Sequence, residues 1–433
     1  MMNIIDIINK KKNKDILLEE EITFFINGYV NNEIPDYQIS SLLMAILLNG
    51  MNEDETYYLT KAMINTGAII DLSDVDGIVV DKHSSGGVGD SVTLVLTPIL
   101  AACHLKVAKM SGRGLTHTGG TIDKLESIPN FKVMLDNKTF IKQVNEVGMA
   151  IIAQSDELVL ADKKLYALRD VTGTVQSIPL IASSIISKKI ASNADMILLD
   201  IKVGQGAFMN NEEDAYELAT LMIKIAQKFN KKMRAVITAM DNPLGRSIGN
   251  NLEVIEAINI LKNKEKHELR ELSIDLAAII LKETNIVKTI DEGKLLALEK
   301  IENNEAFLKF KEFVNAQQGD TTYLDDVSKF ARAAHVIAIK TPIKGYLNSI
   351  DALVLGQLAC SLGAGRYTKD DLIDYSAGIV LKVGINDYLN ENDIIGYLHS
   401  NKPITNEQLM LFNNAFKIGA FMINKAPLIR VVI

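Results

Sequence analysis

Apolar positions recur at helical spacing through the first seventy residues. Leu17, Ile22, Phe24 and Phe25 open one helix, 37–47 gives a second that stops at Gly50, and 53–63 gives a third. Asn52 stands where an N-cap belongs, and Gly67 where a helix would stop. The pattern predicts a small helical bundle over 1–70. From about residue 74 the texture changes to short β-branched runs, each followed by a glycine loop and a helical stretch. Residues 77–81, 105–110, 194–200 and 233–238 are the runs; Gly86–Gly89, Ser111–Gly114, Gly204–Gly206 and Gly245 with Gly249 follow them. Strand–loop–helix repetition predicts a parallel α/β sheet over 74–157 and 193–330, with ligands outside the carboxyl ends of its strands. Residues 158–192 interrupt it with long helical stretches, which are expected to pack back on the bundle and leave a cleft. From 335 to 433, short strands and glycine turns predict a third, β-rich module of α+β type.

Composition narrows the function classes. The chain has 433 residues, 48% of them hydrophobic and 23% charged, enough for two or three packed domains. A net charge of −8 and a pI near 5.4 argue against a nucleic-acid partner. An anionic ligand must therefore be drawn by a few local cations. Cys103 and Cys360 lie in apolar segments outside any metal spacing, and read as buried thiols in a reducing compartment. The first residues, an apolar stretch with Asp6 ahead of Lys10-Lys11-Lys12, have the wrong order for a secretory signal, and no apolar run is long enough to span a bilayer. A soluble cytoplasmic protein without a membrane partner is expected.

The candidate chemistry sits in two loops and one helix. Lys82-His83-Ser84-Ser85-Gly86-Gly87-Val88-Gly89-Asp90-Ser91 joins the first strand to an apolar helix. Backbone N–H groups in such a turn converge on an anion, and the helix dipole adds partial positive charge. The run is neither a P-loop nor a dinucleotide fingerprint: no Lys-Ser/Thr pair follows its last glycine, and the G-x-G-x-x-G order is absent. Lys109-Met110-Ser111-Gly112-Arg113-Gly114, then His117-Thr118-Gly119-Gly120-Thr121, repeats the arrangement with more hydroxyls and cations. One loop alone would pass for a flexible turn with an incidental histidine; two together point to a phosphate site. Ser184 and Lys188, four apart on a helix, share a face. With Arg169 they can grip a flat polar ligand, although Lys188-Lys189 alone reads as a solvated helix end.

These runs, together with 121–129, 161–170 and 200–209, resemble the thymidine and pyrimidine-nucleoside phosphorylases over essentially the whole chain. The resemblance implies a homodimeric enzyme with helical, α/β and C-terminal β-rich domains. It puts Lys82, Ser84, Thr93, Lys109, Ser111 and Thr121 around phosphate. It puts Arg169, Ser184 and Lys188 on the pyrimidine base, with His83 against the base carbonyl O2. Phosphate would attack the anomeric carbon with inversion, while Arg169, Lys188 and a proton from His83 stabilise the departing base. It further implies a potassium ion near Gly89, Ser91, Leu244, Ser247 and Glu256, mostly through backbone oxygen, and no organic cofactor. Lys109 resembles the broad-specificity members, which favours uridine, thymidine and deoxyuridine as substrates over a strict thymidine enzyme. Thr116, Gly173 and the Val203-Gly204-Gln205 run depart from the family's usual residues without removing a charged group. Two other readings compete: anthranilate phosphoribosyltransferase, against which the Arg169–Ser184–Lys188 set argues, and a non-catalytic nucleoside-binding protein.

Overall fold

A computed structural model of the chain describes residues 2–114, 119–154, 158–368 and 370–433. Short polar caps set the N-terminal helices. Asn52 starts Glu53–Ile64: its side chain accepts from Glu55 N while the Glu55 carboxylate accepts from Asn52 N, both at 2.8 Å. Gly50, at φ +69°, ends Asp36–Asn49. Glu19–Val30 begins two residues after Leu17, and a helix that the apolar pattern does not mark, Ile4–Lys12, precedes it. Its buried face is Ile4, Ile7 and Lys11, and the Lys11 ammonium meets the Glu55 carboxylate at 2.7 Å. A lysine on the buried face blurs the apolar stripe that marks an amphipathic helix.

The central sheet is built from β1 (Val79–Ser84), β2 (Lys106–Ser111), β3 (Met149–Ala153), β4 (Met196–Val203) and β5 (Lys232–Ala239). They lie in the order β3-β2-β1-β4-β5, all parallel, and Ile429–Val432 pairs antiparallel with β5 at the edge. Both faces are covered. Val80, Val107, Ile151, Leu198 and Val236 belong to one core, and Ala108, Ile152, Ile197, Leu199 and Ile237 to the other. That two-sided burial is why the strands read as continuous apolar runs. Helix Val92–Ala102 packs in the first core. The N-terminal helices share the second with Leu160–Thr172 and Ile178–Ala191. From β1 the chain winds outward to β2 and β3, then returns to place β4 on the other side of β1. The carboxyl ends of β1 and β4 therefore form the switch point where α/β sheets bind ligands.

Two further details differ from the sequence reading. β1 runs three residues into the first glycine loop, so Lys82, His83 and Ser84 are strand, opposite Leu198, Leu199 and Asp200 of β4. Two short strands also cross the boundary drawn near 335. Ser247–Ile248 joins the C-terminal sheet of Gly378–Leu381, Ile394–Ser400 and His335–Lys340, while Ile429–Val432 leaves that module for the central sheet. A second small sheet holds Gly345–Ile350 between Tyr388–Leu389 and Phe416–Gly419. Among the described residues no helix is long and apolar enough to cross a membrane.

Candidate active site

Strand alternation divides the chemistry of β1 between two faces. On one face the buried Asp81 carboxylate receives Lys109 Nζ at 3.3 Å and Lys189 Nζ at 2.6 Å. Lys109 Nζ also donates to the Lys82 carbonyl. On the other face Lys82 Nζ meets Asp200 Oδ2 at 2.7 Å, and Lys202 Nζ meets the same oxygen at 2.9 Å. Ser84 Oγ donates to Asp90 Oδ2 at 2.6 Å, and Thr238 Oγ1 to Asp200 Oδ1 at 2.6 Å. At Asp81, Asp90, Asp200 and Lys82 burial opposes the charge and the opposite charges outweigh it: the three carboxyls are held below, and the ammonium above, the ordinary value. Lys109 goes the other way. Burial, with Lys189 and Lys82 close by, outweighs Asp81 and brings it down to about 8.

Above these clusters lies a cavity of about 690 Å³. His83, Ser84, Thr93, Lys109, Ser111 and Thr121 line it from β1, β2 and the helices that follow them, and Arg169, Ser184 and Lys188 from two further helices. Lys82 does not line it: its side chain is 1% exposed and lies in the Asp200 cluster beneath. Gly89 turns the first loop at φ +64°, and Gly120 lets the second close: a Cβ there would lie 2.1 Å from Gly114 N. His117, with Thr116 and Thr118, lies outside the described residues.

The helices Leu160–Thr172 and Ile178–Ala191 supply the second half. Lys188 Nζ donates to Asp162 Oδ2 at 2.6 Å and to Ser184 Oγ at 3.0 Å, as the four-residue spacing predicts. Arg169 is 2% exposed. It donates to the carbonyls of Thr174 (3.2 Å), Leu180 (3.2 Å) and Val175 (2.7 Å), three of its five N–H groups. Gly173 ends the first helix in the left-handed region at φ +68°, a conformation that suits glycine. Burial, followed by Lys189, Lys109, Lys188 and Lys82, holds His83 well below its usual range, so its resting form is the neutral imidazole.

Gly89, Ser91, Leu244, Ser247 and Glu256 do not line this cavity. They gather where the first loop meets the segment before helix Asn250–Leu261. Gly245 N donates to Gly89 O at 3.0 Å and Leu244 N to Val88 O at 3.1 Å. The buried Glu256 carboxylate accepts from Ser247 N at 3.2 Å and from Arg246 N. Ser91 Oγ donates to Glu253 Oε2 at 2.7 Å, and Lys124 Nζ meets that oxygen at 2.7 Å. His267 Nε2 stands 3.2 Å from Glu256 Oε1. Burial opposes the imidazolium, but Glu256 and Glu265 outweigh it and raise His267 to about 9.

Sequence reasoning misses the counter-charges Asp81, Asp90, Asp162, Asp200, Lys189 and Lys202. Asp81 and Asp200 carry a visible signal, since a carboxylate inside an apolar strand must find a cation.

Known proteins resemble the chain over its whole length. The chain matches the helical bundle domain of the glycosyl transferase family over residues 5–67 and the family's a/b domain over 76–307. Residues 346–419 match the pyrimidine nucleoside phosphorylase C-terminal domain. Pyrimidine-nucleoside phosphorylase of Staphylococcus aureus strain MSSA476 is 48% identical over 432 residues, covering 100% of both chains. That of strain N315 is 48% identical over 431 residues, again over 100% of both. The crystal structure of anthranilate phosphoribosyltransferase from Thermus thermophilus superposes with a TM-score of 0.58 at 17% identity, covering 72% of this chain and 100% of that one. At that identity the likeness is one of fold.

Proposed function

Because the chain belongs to the pyrimidine-nucleoside phosphorylase family, we propose that it cleaves uridine, thymidine and deoxyuridine with inorganic phosphate. The products are the free base and α-ribose or α-2-deoxyribose 1-phosphate. The observation that carries this reading is a single cavity lined by two unlike sets of residues. Hydroxyls and Lys109 from β1, β2 and the helices that follow them line it together with Arg169, Ser184 and Lys188 from two other helices.

Ser84, Thr93, Ser111, Thr121 and Lys109 hold phosphate at the switch point. Lys82 acts from below, fixing Asp200 and the strand that carries Ser84. Arg169, Ser184 and Lys188 orient the base. A phosphate oxygen bonds to the anomeric carbon on the face opposite the base, and the glycosidic C–N bond breaks with its electron pair leaving on the ring. Lys188 and the remaining Arg169 N–H groups meet that charge. His83, being neutral, contributes an N–H hydrogen bond to the base oxygen rather than a positive charge, and the base anion takes a proton from solvent water on release. Holding both substrates in one cavity supplies the proximity the displacement needs.

The donor set around Glu256 suits potassium. It offers hard oxygens, with His267 competing for the Glu256 carboxylate at 3.2 Å, and Gly89 keeps its backbone clear of a Cβ that would lie 3.1 Å from Ser247 O. Gly89, Ser91, Leu244, Ser247 and Glu256 would hold the ion, which would supply fixed positive charge that steadies the first loop. Activity in potassium salts should exceed that in sodium salts at equal ionic strength; equal rates would remove the ion from this account. The resemblance also supports a homodimer, and the two free, buried cysteines suit a cytoplasmic location.

Absorbance of uridine with the purified protein tests the function. Loss that depends on added phosphate is expected. Turnover with phosphoribosyl diphosphate and anthranilate alone would overturn the reading, and cleavage of thymidine with uridine untouched would narrow it to a strict thymidine enzyme.

A further inference from the structure

The second phosphate loop is anchored by a side chain from the C-terminal module. Asp123, on helix Thr121–Glu126, is 1% exposed. Its Oδ2 accepts from Gly114 N at 2.7 Å. Its Oδ1 accepts from Arg113 Nη1 at 3.2 Å and from Arg366 Nη1 at 2.9 Å. One carboxylate thus ties the chain leaving β2 to the helix that begins at Thr121. Gly120 packs against Gly114 at the same point. Ser111, just before this junction, and Thr121, just after it, both line the cavity.

The two arginines are not equivalent. The Arg113 side chain is 47% exposed and shared with Glu126, so solvent screens it. The Arg366 side chain is 11% exposed. It is held in its own loop, where its Nε donates to Asp371 O at 3.2 Å. The Asp371 carboxylate in turn accepts from Tyr367 N and Thr368 N, each at 2.9 Å. Arg366 is therefore an oriented cation aimed at a buried carboxylate beside the phosphate site, and it does not itself line the cavity.

We propose that Arg366 is a positioning residue for phosphate. It neutralises Asp123, which would otherwise repel the incoming dianion, and it thereby fixes Gly114 and Thr121 in the anion-binding arrangement. The inference rests on the phosphorylase reading given above and makes the C-terminal module a contributor to phosphate affinity.

Steady-state kinetics with phosphate varied at saturating uridine, and the reverse, test it on the full chain. Arg366→Ala should raise KM for phosphate roughly tenfold, the loss of one charge-assisted contact. KM for uridine and kcat should stay near wild type, and Arg366→Lys should recover part of the loss. Since Arg366 acts through Asp123, adding Arg366→Ala to Asp123→Asn should change phosphate KM little further. Unchanged phosphate KM in Arg366→Ala, or kcat and both KM values worsening together with a lower melting temperature, would overturn the proposal. If the wild-type protein cleaves no nucleoside, the functional reading fails instead. Calorimetric binding of inorganic phosphate then decides Arg366: weaker binding in the variant upholds its role, and equal binding ends it.

Discussion

Replacing Lys188 by alanine should slow the reaction far more than it weakens binding. The Lys188 ammonium holds Asp162 at 2.6 Å and Ser184 at 3.0 Å, yet its side chain stays 24% exposed to the cavity. Arg169 already gives three N–H groups to backbone carbonyls, so Lys188 is the more available cation for charge that develops on the departing base. A charge-assisted hydrogen bond contributes about 1.5–3 kcal/mol. At about 1.4 kcal/mol per decade of rate, kcat should fall roughly 10- to 150-fold. A second effect accompanies it. Asp162 Oδ1 is buried with no partner among the described residues, so removing Lys188 leaves that carboxylate without its ion pair. Breaking a fully buried pair costs about 3–5 kcal/mol of stability; the partial exposure of Lys188 makes the loss here smaller. The double variant Lys188→Met with Asp162→Asn separates the two, since it removes both charges and should recover the melting temperature without recovering kcat. Initial rates of phosphate-dependent uridine cleavage, with thermal melts beside them, are the assay. A Lys188→Ala enzyme with wild-type kcat would refute the placement of the base.

Two further outcomes follow from the phosphate half. Gly120→Ala should raise KM for phosphate and leave that for uridine little changed, because its Cβ would meet backbone at Gly114 N rather than a side chain that can swing away; equal effects on both constants would disprove the local account. Lys109, held at about 8 by burial, should make kcat/KM for phosphate fall as pH rises through 8, since the free enzyme then loses a cation. The stability term of this group runs the opposite way. Between pH 8 and the ordinary lysine value of about 10.4 the unfolded chain binds more protons, so stability gains with pH while activity drops. Lys109→Arg should flatten the activity profile above pH 8, and an unchanged profile in that variant would exclude Lys109 as its origin.

Much of the scaffold is legible because burial on both faces writes itself as apolar runs. β1, β2, β4 and β5 are each marked by such a run ahead of a glycine loop. β3, with Met149-Ala150-Ile151-Ile152-Ala153, lacks a glycine loop after it and so carries no such mark. Glycines and hydroxyls announce the phosphate half, and i, i+4 spacing announces Ser184 with Lys188. Treating 82–91 as one turn misplaces Lys82. Once β1 extends to Ser84, alternation sends Lys82 and His83 to opposite faces, and the lysine becomes part of the foundation beneath the cavity.

The partners of the buried lysines are out of reach for a different reason. Asp81 meets Lys109 and Lys189, and Asp200 meets Lys82, through pairing of segments distant in sequence. No local spacing encodes those contacts. Charge balance still constrains them: a buried ammonium needs a carboxylate, so Lys82 and Lys109 each imply an acid elsewhere, here in an apolar strand. At this centre Lys82, Lys109, Lys189 and Lys202 face Asp81, Asp90 and Asp200, four positive charges against three negative. The surplus is expressed at Lys109, where burial and the neighbouring lysines bring the ammonium down to about 8. On the proposed placement, phosphate beside Lys109 would bring negative charge to a centre that carries one surplus positive charge. On that placement the neighbouring lysines that, after burial, lower Lys109 in the free protein also favour an anion at the site.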